Sequence, residues 1–148
     1  MNWADIVSPS RIRCGVEAPN RRGAISILCE MLADEAGGDA EALNEVLMAR
    51  EKLGSTVIGR GVMLPHAKSA GVTAPIAAML VLKPPLDCTT PDEVPVDIVM
   101  AFLVPAQGND LSLLAGLVKE LRDENLLRKL RHAASPDDAH AVLRGAAG

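Results

Sequence analysis

Apolar residues recur along this chain with two different periods, and the changes between them mark out its elements. Residues 11–16, bounded by Pro9 and Pro19, form a brief run that reads as a strand. From Asn20 the period lengthens. Ala24, Ile27, Leu28, Met31 and Leu32 follow i, i+3, i+4, i+7, i+8, which predicts a helix capped by Asn20 and ended by Gly37-Gly38, with Cys29 buried beside the stripe. Asp39 caps a second helix, with Leu43, Val46 and Leu47 on one face. Further on, Ile76–Lys83 and Val96–Val104 are apolar without interruption, so as strands they must be covered on both sides. The Pro-rich stretch between them, Pro84–Pro95, reads as a surface connection. Leu111, Leu114, Leu117, Val118 and Leu121 then make a helical stripe, Asp123 or Asn125 starts a short helix, and Ser135-Pro136-Asp137-Asp138 opens a last one that packs Ala139, Val142 and Leu143 and frays at Gly145. This order predicts an α/β fold, a three-layer sandwich of a mixed, largely parallel sheet with helices on both faces, in one domain over residues 1–148.

One stretch has neither period. Arg50–Lys68 gathers Gly54, Gly59 and Gly61, the hydroxyls of Ser55 and Thr56, and four basic groups around His66, which follows Pro65. Glycine and proline disfavour a helix, and the run reads as loop, short strand, loop. Glycines let backbone N–H groups approach an anion, hydroxyls add donors, and Arg or Lys adds charge. The combination suits a phosphoryl group held beside an imidazole. No G-x-x-x-x-G-K-[ST] pattern occurs, and Gly59-Arg60-Gly61 lacks the third glycine of a dinucleotide fingerprint.

Composition removes several other classes. At 148 residues the chain can bury roughly two thirds or more of its unfolded surface. Aromatics are only 1% of it, so the core must come from Leu, Val, Ile, Ala and Met, and only Trp3 and Phe102 offer a ring for base stacking. A net charge of −4 with no basic tract also argues against nucleic acid. Cys14, Cys29 and Cys88 are odd in number and widely spaced, which indicates reduced thiols rather than disulfides or a metal knuckle. The first residues lack the pattern of a signal peptide, and the longest apolar run, Ile76–Leu82, is far shorter than the ~20 residues of a membrane span. Cytoplasm is the expected location.

Taken together, Arg50-Glu51-Lys52, Gly54-Ser55-Thr56, Gly59, Gly61 and Pro65-His66 resemble the signature around the phosphorylated histidine of the fructose/mannitol-type enzyme IIA domains of the bacterial phosphotransferase system. The nitrogen-regulatory IIA proteins look like the nearest branch. Asp92, Pro95-Val96-Asp97 and Phe102-Leu103-Val104-Pro105 extend the likeness downstream. The resemblance implies that His66 takes a phosphoryl group from an HPr-type carrier. It implies a phosphocarrier rather than a free-standing enzyme, with no metal or organic cofactor. In sugar-specific members the group passes to a IIB cysteine; in the regulatory branch it governs binding of a partner such as a sensor kinase or transporter. A docking module that has lost phosphotransfer is the third reading.

The chemistry is sound for imidazole, whose reference pKa of about 6.5 leaves much of it neutral and nucleophilic near pH 7. A backbone carbonyl accepting from Nδ1–H would leave the other nitrogen's lone pair to attack phosphorus. Arg50, Ser55, Thr56 and Lys68 are candidate phosphate-binding or supporting residues; Gly59 and Gly61 are expected mainly to enable the backbone, and Glu51 to support the loop. Met63 and Leu64 are candidates for an apolar docking patch if they reach the surface. Val57, Arg60 and Ala67 depart from the family pattern. So does Asp110, the candidate second-site position, where sugar-type members and many regulatory ones carry a second histidine. His132 and His140 are expected to be structural or solvated.

Overall fold

The computed structural model describes residues 2–86, 90, 92–107 and 111–146, the side chains of residues 111, 112 and 146 excepted. In chain order the elements are α1 (Trp3–Ile6), β1 (Ile12–Val16), α2 (Arg21–Leu32), α3 (Ala40–Leu53), β2 (Val57–Gly59), β3 (Val62–Met63), β4 (His66–Ser69), β5 (Ile76–Leu86), β6 (Val96–Pro105), α4 (Leu111–Glu120), α5 (Glu124–Arg131) and α6 (Pro136–Ala146). The six described strands form one mixed sheet in the order β1-β5-β6-β3-β2, with β4 also paired to β6. Three pairings are parallel (β1 with β5, β3 and β4 with β6) and two are antiparallel. The two long apolar runs, β5 and β6, lie side by side and antiparallel. Only positions 87–95 separate them, fewer than the dozen or more that a parallel crossover needs.

Helices cover both faces, as two uninterrupted apolar strands require. On one face α2 and α3 bury Ile25, Leu28, Leu32, Leu43 and Leu47 against Met63, Leu80, Val99, Ala101 and Leu103. On the other, α1, α4, α5 and α6 bury Trp3, Leu117, Leu127 and Leu143 against Leu64, Met79, Ile98, Met100 and Phe102. The alternation along β6 assigns each side chain to one core or the other.

The caps form as the sequence indicates. Asn20 accepts from the Gly23 N–H at 2.8 Å, Asp39 from Ala42 at 3.0 Å, Asp123 from Asn125 at 2.9 Å, and Ser135 from Asp138 at 3.1 Å. Other details differ. The buried face of α2 is wider than a single stripe and takes in Ile25 and Cys29, because the helix meets both the sheet and α3; Ile27 and Met31 are only half-buried. Helix α2 ends at Leu32 and tightens into a 3₁₀ turn over Ala33–Ala36 before Gly37 takes the left-handed conformation. Val46 lies 45% exposed while Leu43 and Leu47 face the core. Strand β5 runs on to Leu86 and α6 to Ala146. Helix α1 has no counterpart in the expected pattern: four residues are too few to display a period, and Trp3 holds it in place through an indole N–H donated to the Leu117 carbonyl at 2.9 Å.

Burial, and to a lesser degree Glu30, pushes the Cys29 thiol up from 9.0 to about 12. Above pH 9.0 the unfolded chain therefore releases a proton that the folded chain keeps, and stability falls as pH rises toward 12. At about 1.4 kcal/mol per unit, the loss is on the order of a few kcal/mol. Urea titrations across that range are expected to show a shallower decline for Cys29→Ala than for the parent; equal slopes would remove Cys29 from the alkaline limb.

Candidate functional site

Around His66 the chain makes three short strands rather than a loop, a strand and a loop. Helix α3 continues to Leu53, Gly54 turns the chain, and β2 and β3 form a hairpin whose turn residues, Arg60 (φ 59°) and Gly61 (φ 81°), are both left-handed, as a two-residue turn between twisted strands favours. The chain then runs along β6: Val62 pairs with Ile98 and Met63 with Val99, Pro65 interrupts, and His66–Ser69 resumes opposite Phe102–Pro105. The Pro65 carbonyl bridges the gap by accepting from Phe102 N at 2.9 Å. Pro65 has no N–H to donate, which is why one strand is read as two. His66 is thus the first residue of β4, on a strand whose one described partner is β6.

The half-buried imidazole is held from one side, with Nδ1 2.9 Å from the Leu64 carbonyl oxygen. A carbonyl can only accept, so Nδ1 carries a proton and, in the neutral ring, Nε2 presents its lone pair. No described group hydrogen-bonds Nε2. Lys68, two residues on and exposed, projects to the same face of β4 at a spacing of about 7 Å between Cα atoms and adds positive charge there.

The other expected site residues divide. Thr56 is buried, donates its hydroxyl to a Glu51 carboxylate oxygen, and accepts from Leu64 N through its carbonyl at 3.0 Å. Ser55 is exposed and its oxygen accepts from Val57 N at 3.2 Å, a local turn contact. Arg50 donates to the Gly54 carbonyl at 3.0 Å, closing its own helix end, where a cation suits the dipole. Gly59 and Gly61 stand at the hairpin turn. Val62 and His66 pair with β6 residues four apart, which puts that turn more than ~13 Å along the sheet from the imidazole. A Cβ on Gly61 would lie 2.7 Å from the Arg131 guanidinium and 3.0 Å from both Asp97 and the Pro95 carbonyl. These glycines enable backbone rather than cradle an anion at His66. Met63 and Leu64 are 0% and 2% exposed, so neither contributes to a docking surface; each fills one of the two cores. Asp110 and Cys88 lie outside the described residues.

Nothing in the sequence pairs Arg131 with Asp97, which are 34 positions apart. Arg131 Nε donates to both Asp97 oxygens at 3.0 and 2.8 Å, and its Nη2 donates to the Arg60 carbonyl, tying α5 to β6 and to the hairpin. Burial raises the Asp97 carboxyl above its ordinary value despite the guanidinium. At the same turn the N–H groups of Arg60 and Val94 hold the Asp92 carboxyl below the usual carboxylate range. Asp92, through Arg60 N, and Asp97, through Arg131 and the Gly61 carbonyl, therefore anchor the hairpin. A cavity of about 490 Å3 lined by Cys14, Lys83, Asp97, Arg131 and His132 lies at that end of the molecule, and His66 is not part of it. Among the described residues no three His, Cys, Asp or Glu side chains converge as metal ligands, and no helix is long and apolar enough to cross a membrane.

An imidazole on a strand whose one described neighbour is β6, with Nδ1 fixed and no described partner at Nε2, defines a histidine site on an α/β sandwich. The chain belongs to the phosphoenolpyruvate-dependent sugar phosphotransferase system, EIIA 2, family, which matches residues 5–145. It is 33% identical over 145 residues to a nitrogen regulatory protein of Bradyrhizobium diazoefficiens, covering 97% of this chain and 95% of the relative. The crystal structure of the nitrogen regulatory protein IIA-Ntr from Neisseria meningitidis superposes with a TM-score of 0.87 at 29% identity, over 95% of this chain and 97% of that one. The enzyme IIA of mannitol from Escherichia coli, solved in complex with phosphorylated enzyme IIB, shares the fold at a TM-score of 0.77 and 18% identity, over 92% and 95% of the two chains.

Proposed function

We propose that this protein is a phosphohistidine-carrying regulatory IIA protein: His66 accepts a phosphoryl group from a phosphorylated HPr-type carrier, and the change in charge at the β4 edge governs which partner protein binds. The observation that carries the reading is the Nδ1–H bond to the Leu64 carbonyl, which aims the Nε2 lone pair outward. Nε2 forms the new N–P bond as the donor's N–P bond breaks, and that bond's electron pair returns to the donor imidazole. The phosphorylated ring keeps its Nδ1 proton, and its positive charge faces the carbonyl dipole. Lys68 supplies attraction for the equatorial oxygens, the main service a loose phosphoryl-transfer transition state asks of a protein. The regulatory branch is preferred because the Bradyrhizobium relative and the Neisseria structure described above carry the nitrogen-regulatory name, whereas likeness to the mannitol enzyme is one of fold. Onward transfer to a IIB cysteine is the alternative.

The test is phosphotransfer from purified phosphorylated HPr-type carrier, read by intact mass: one acid-labile phosphoryl group per chain is expected, and no labelling would leave only the docking reading. If Asp110 stands near His66, its charge slows the transfer. An anion near the imidazole favours its protonated, non-nucleophilic form and repels an incoming dianion. One unit of pKa corresponds to about tenfold in rate, so on that condition Asp110→His is expected to speed phosphorylation by about that factor and to slow loss of the phosphoryl group, and Asp110→Asn to give part of the gain. Unchanged rates in both would remove Asp110 from the site.

A further inference from the structure

The geometry points to a positioning relay, Glu51 to Thr56 to Leu64, that selects the reactive tautomer of His66. The relay begins in the Glu51 carboxylate, for which the sequence suggests support of the loop. Glu51 sits in the last turn of α3, its residue 9% and its side chain 4% exposed. One oxygen accepts the Thr56 hydroxyl; the other is buried without a hydrogen-bond partner among the described residues and faces Arg21 of α2 at 3.7 Å. A buried carboxylate with a single hydrogen bond is a costly way merely to close a loop. Its hydrogen bond pins Thr56, whose own carbonyl accepts from Leu64 N at 3.0 Å. The peptide that carries that N–H is thereby fixed, the Leu64 side chain is locked in the core, and the proline that follows limits Leu64 to extended conformations. All three constraints orient the Leu64 carbonyl at His66 Nδ1.

The direction of that carbonyl matters because a free histidine side chain prefers the proton on Nε2, the opposite of what is needed here. Without an aligned acceptor at Nδ1, the nitrogen facing outward would carry a hydrogen and could not attack. Glu51 and Thr56 touch neither phosphate nor imidazole. They act through the Leu64 peptide.

The relay rests on the proposed role of His66 for its purpose but not for its measurement. Nitrogen chemical shifts of the His66 ring, read in unphosphorylated protein with no carrier present, report which nitrogen bears the proton. The parent and Thr56→Ser, which keeps the hydroxyl, are expected to hold the Nδ1–H form. In Thr56→Val the Nε2–H form is expected to rise to a comparable population and the rate of phosphorylation to fall about tenfold through misalignment. A folded Thr56→Val protein with an unchanged tautomer would overturn the relay. Glu51→Gln, whose amide oxygen still accepts from the hydroxyl, gives a second measurement should Thr56→Val fail to fold: it is expected to retain Nδ1–H, and a shift to Nε2–H would refute a hydrogen-bond relay in favour of a charge effect. Loss of stability alone moves neither shift. If no carrier phosphorylates His66, the functional reading fails while the tautomer result stands; if phosphorylation proceeds and the tautomer ignores Thr56, the relay alone fails.

Discussion

Replacing His66 with alanine is expected to abolish acid-labile labelling by an HPr-type carrier, while His132→Ala and His140→Ala keep it. Two of the three imidazoles, His66 and His132, set Nδ1 against a backbone carbonyl, and what separates them is where they stand. His132 caps the exposed end of α5, its Nδ1 2.8 Å from the Arg128 carbonyl of the same helix. His140 spends its Nε2 on the Ala4 carbonyl at 3.1 Å, joining α6 to α1, so its removal should cost about 1 kcal/mol of stability and leave transfer intact. Only His66 combines a fixed Nδ1–H with a described position on a sheet edge beside a cation on the same face. Intact-mass measurement before and after mild acid separates the variants. Labelling that survives in His66→Ala would refute the assignment.

The second large effect is expected at Phe102. Its ring is 2% exposed and meets Trp3 edge-on, with centroids 5.8 Å apart and planes at 76°. Phe102→Ala removes that contact and leaves a cavity between the sheet and α1, a change that costs about 3–5 kcal/mol in buried sites. Against the 5–15 kcal/mol typical of whole domains, that is a large share. Trp3 is the only tryptophan, so urea unfolding followed by its fluorescence reads the loss directly. Phe102 also faces His66 across the β4–β6 pairing, and a variant that stays folded at low temperature is expected to transfer phosphate more slowly because β4 has lost its neighbour on that face. A cost below about 1 kcal/mol would show that Trp3 and Phe102 do not share a packed core.

Elements with a full period or a cap were legible from residues alone. The helices begun by Asn20, Asp39, Asp123 and Ser135 start where a side-chain oxygen can satisfy a first-turn N–H, and that chemistry is local. The uninterrupted apolar runs of β5 and β6 demanded cover on both faces, and the helices supply it. Local pattern had less to say wherever a partner far along the chain decides. Trp3 needs Leu117, Arg131 needs Asp97 and the Arg60 carbonyl, and Gly61 is required by an arginine 70 positions away. No period marks such pairs.

The amino-acid sequence by itself determined the α/β class, the helix starts, the two central strands and the singular character of the stretch around His66, because each depends on the chemistry of neighbours within a few residues. It also carried the likeness to IIA domains, since the Gly, Thr and Pro-His positions report backbone demands that one residue type meets best. Only the tertiary structure decided that β5 and β6 run antiparallel, that Met63 and Leu64 are core, and that the hairpin glycines stand well away from the imidazole. It alone set the Leu64 carbonyl against Nδ1, because a tautomer is chosen by where an acceptor points in space, and that direction depends on a buried carboxylate in a helix and a hydroxyl at the entry to a strand.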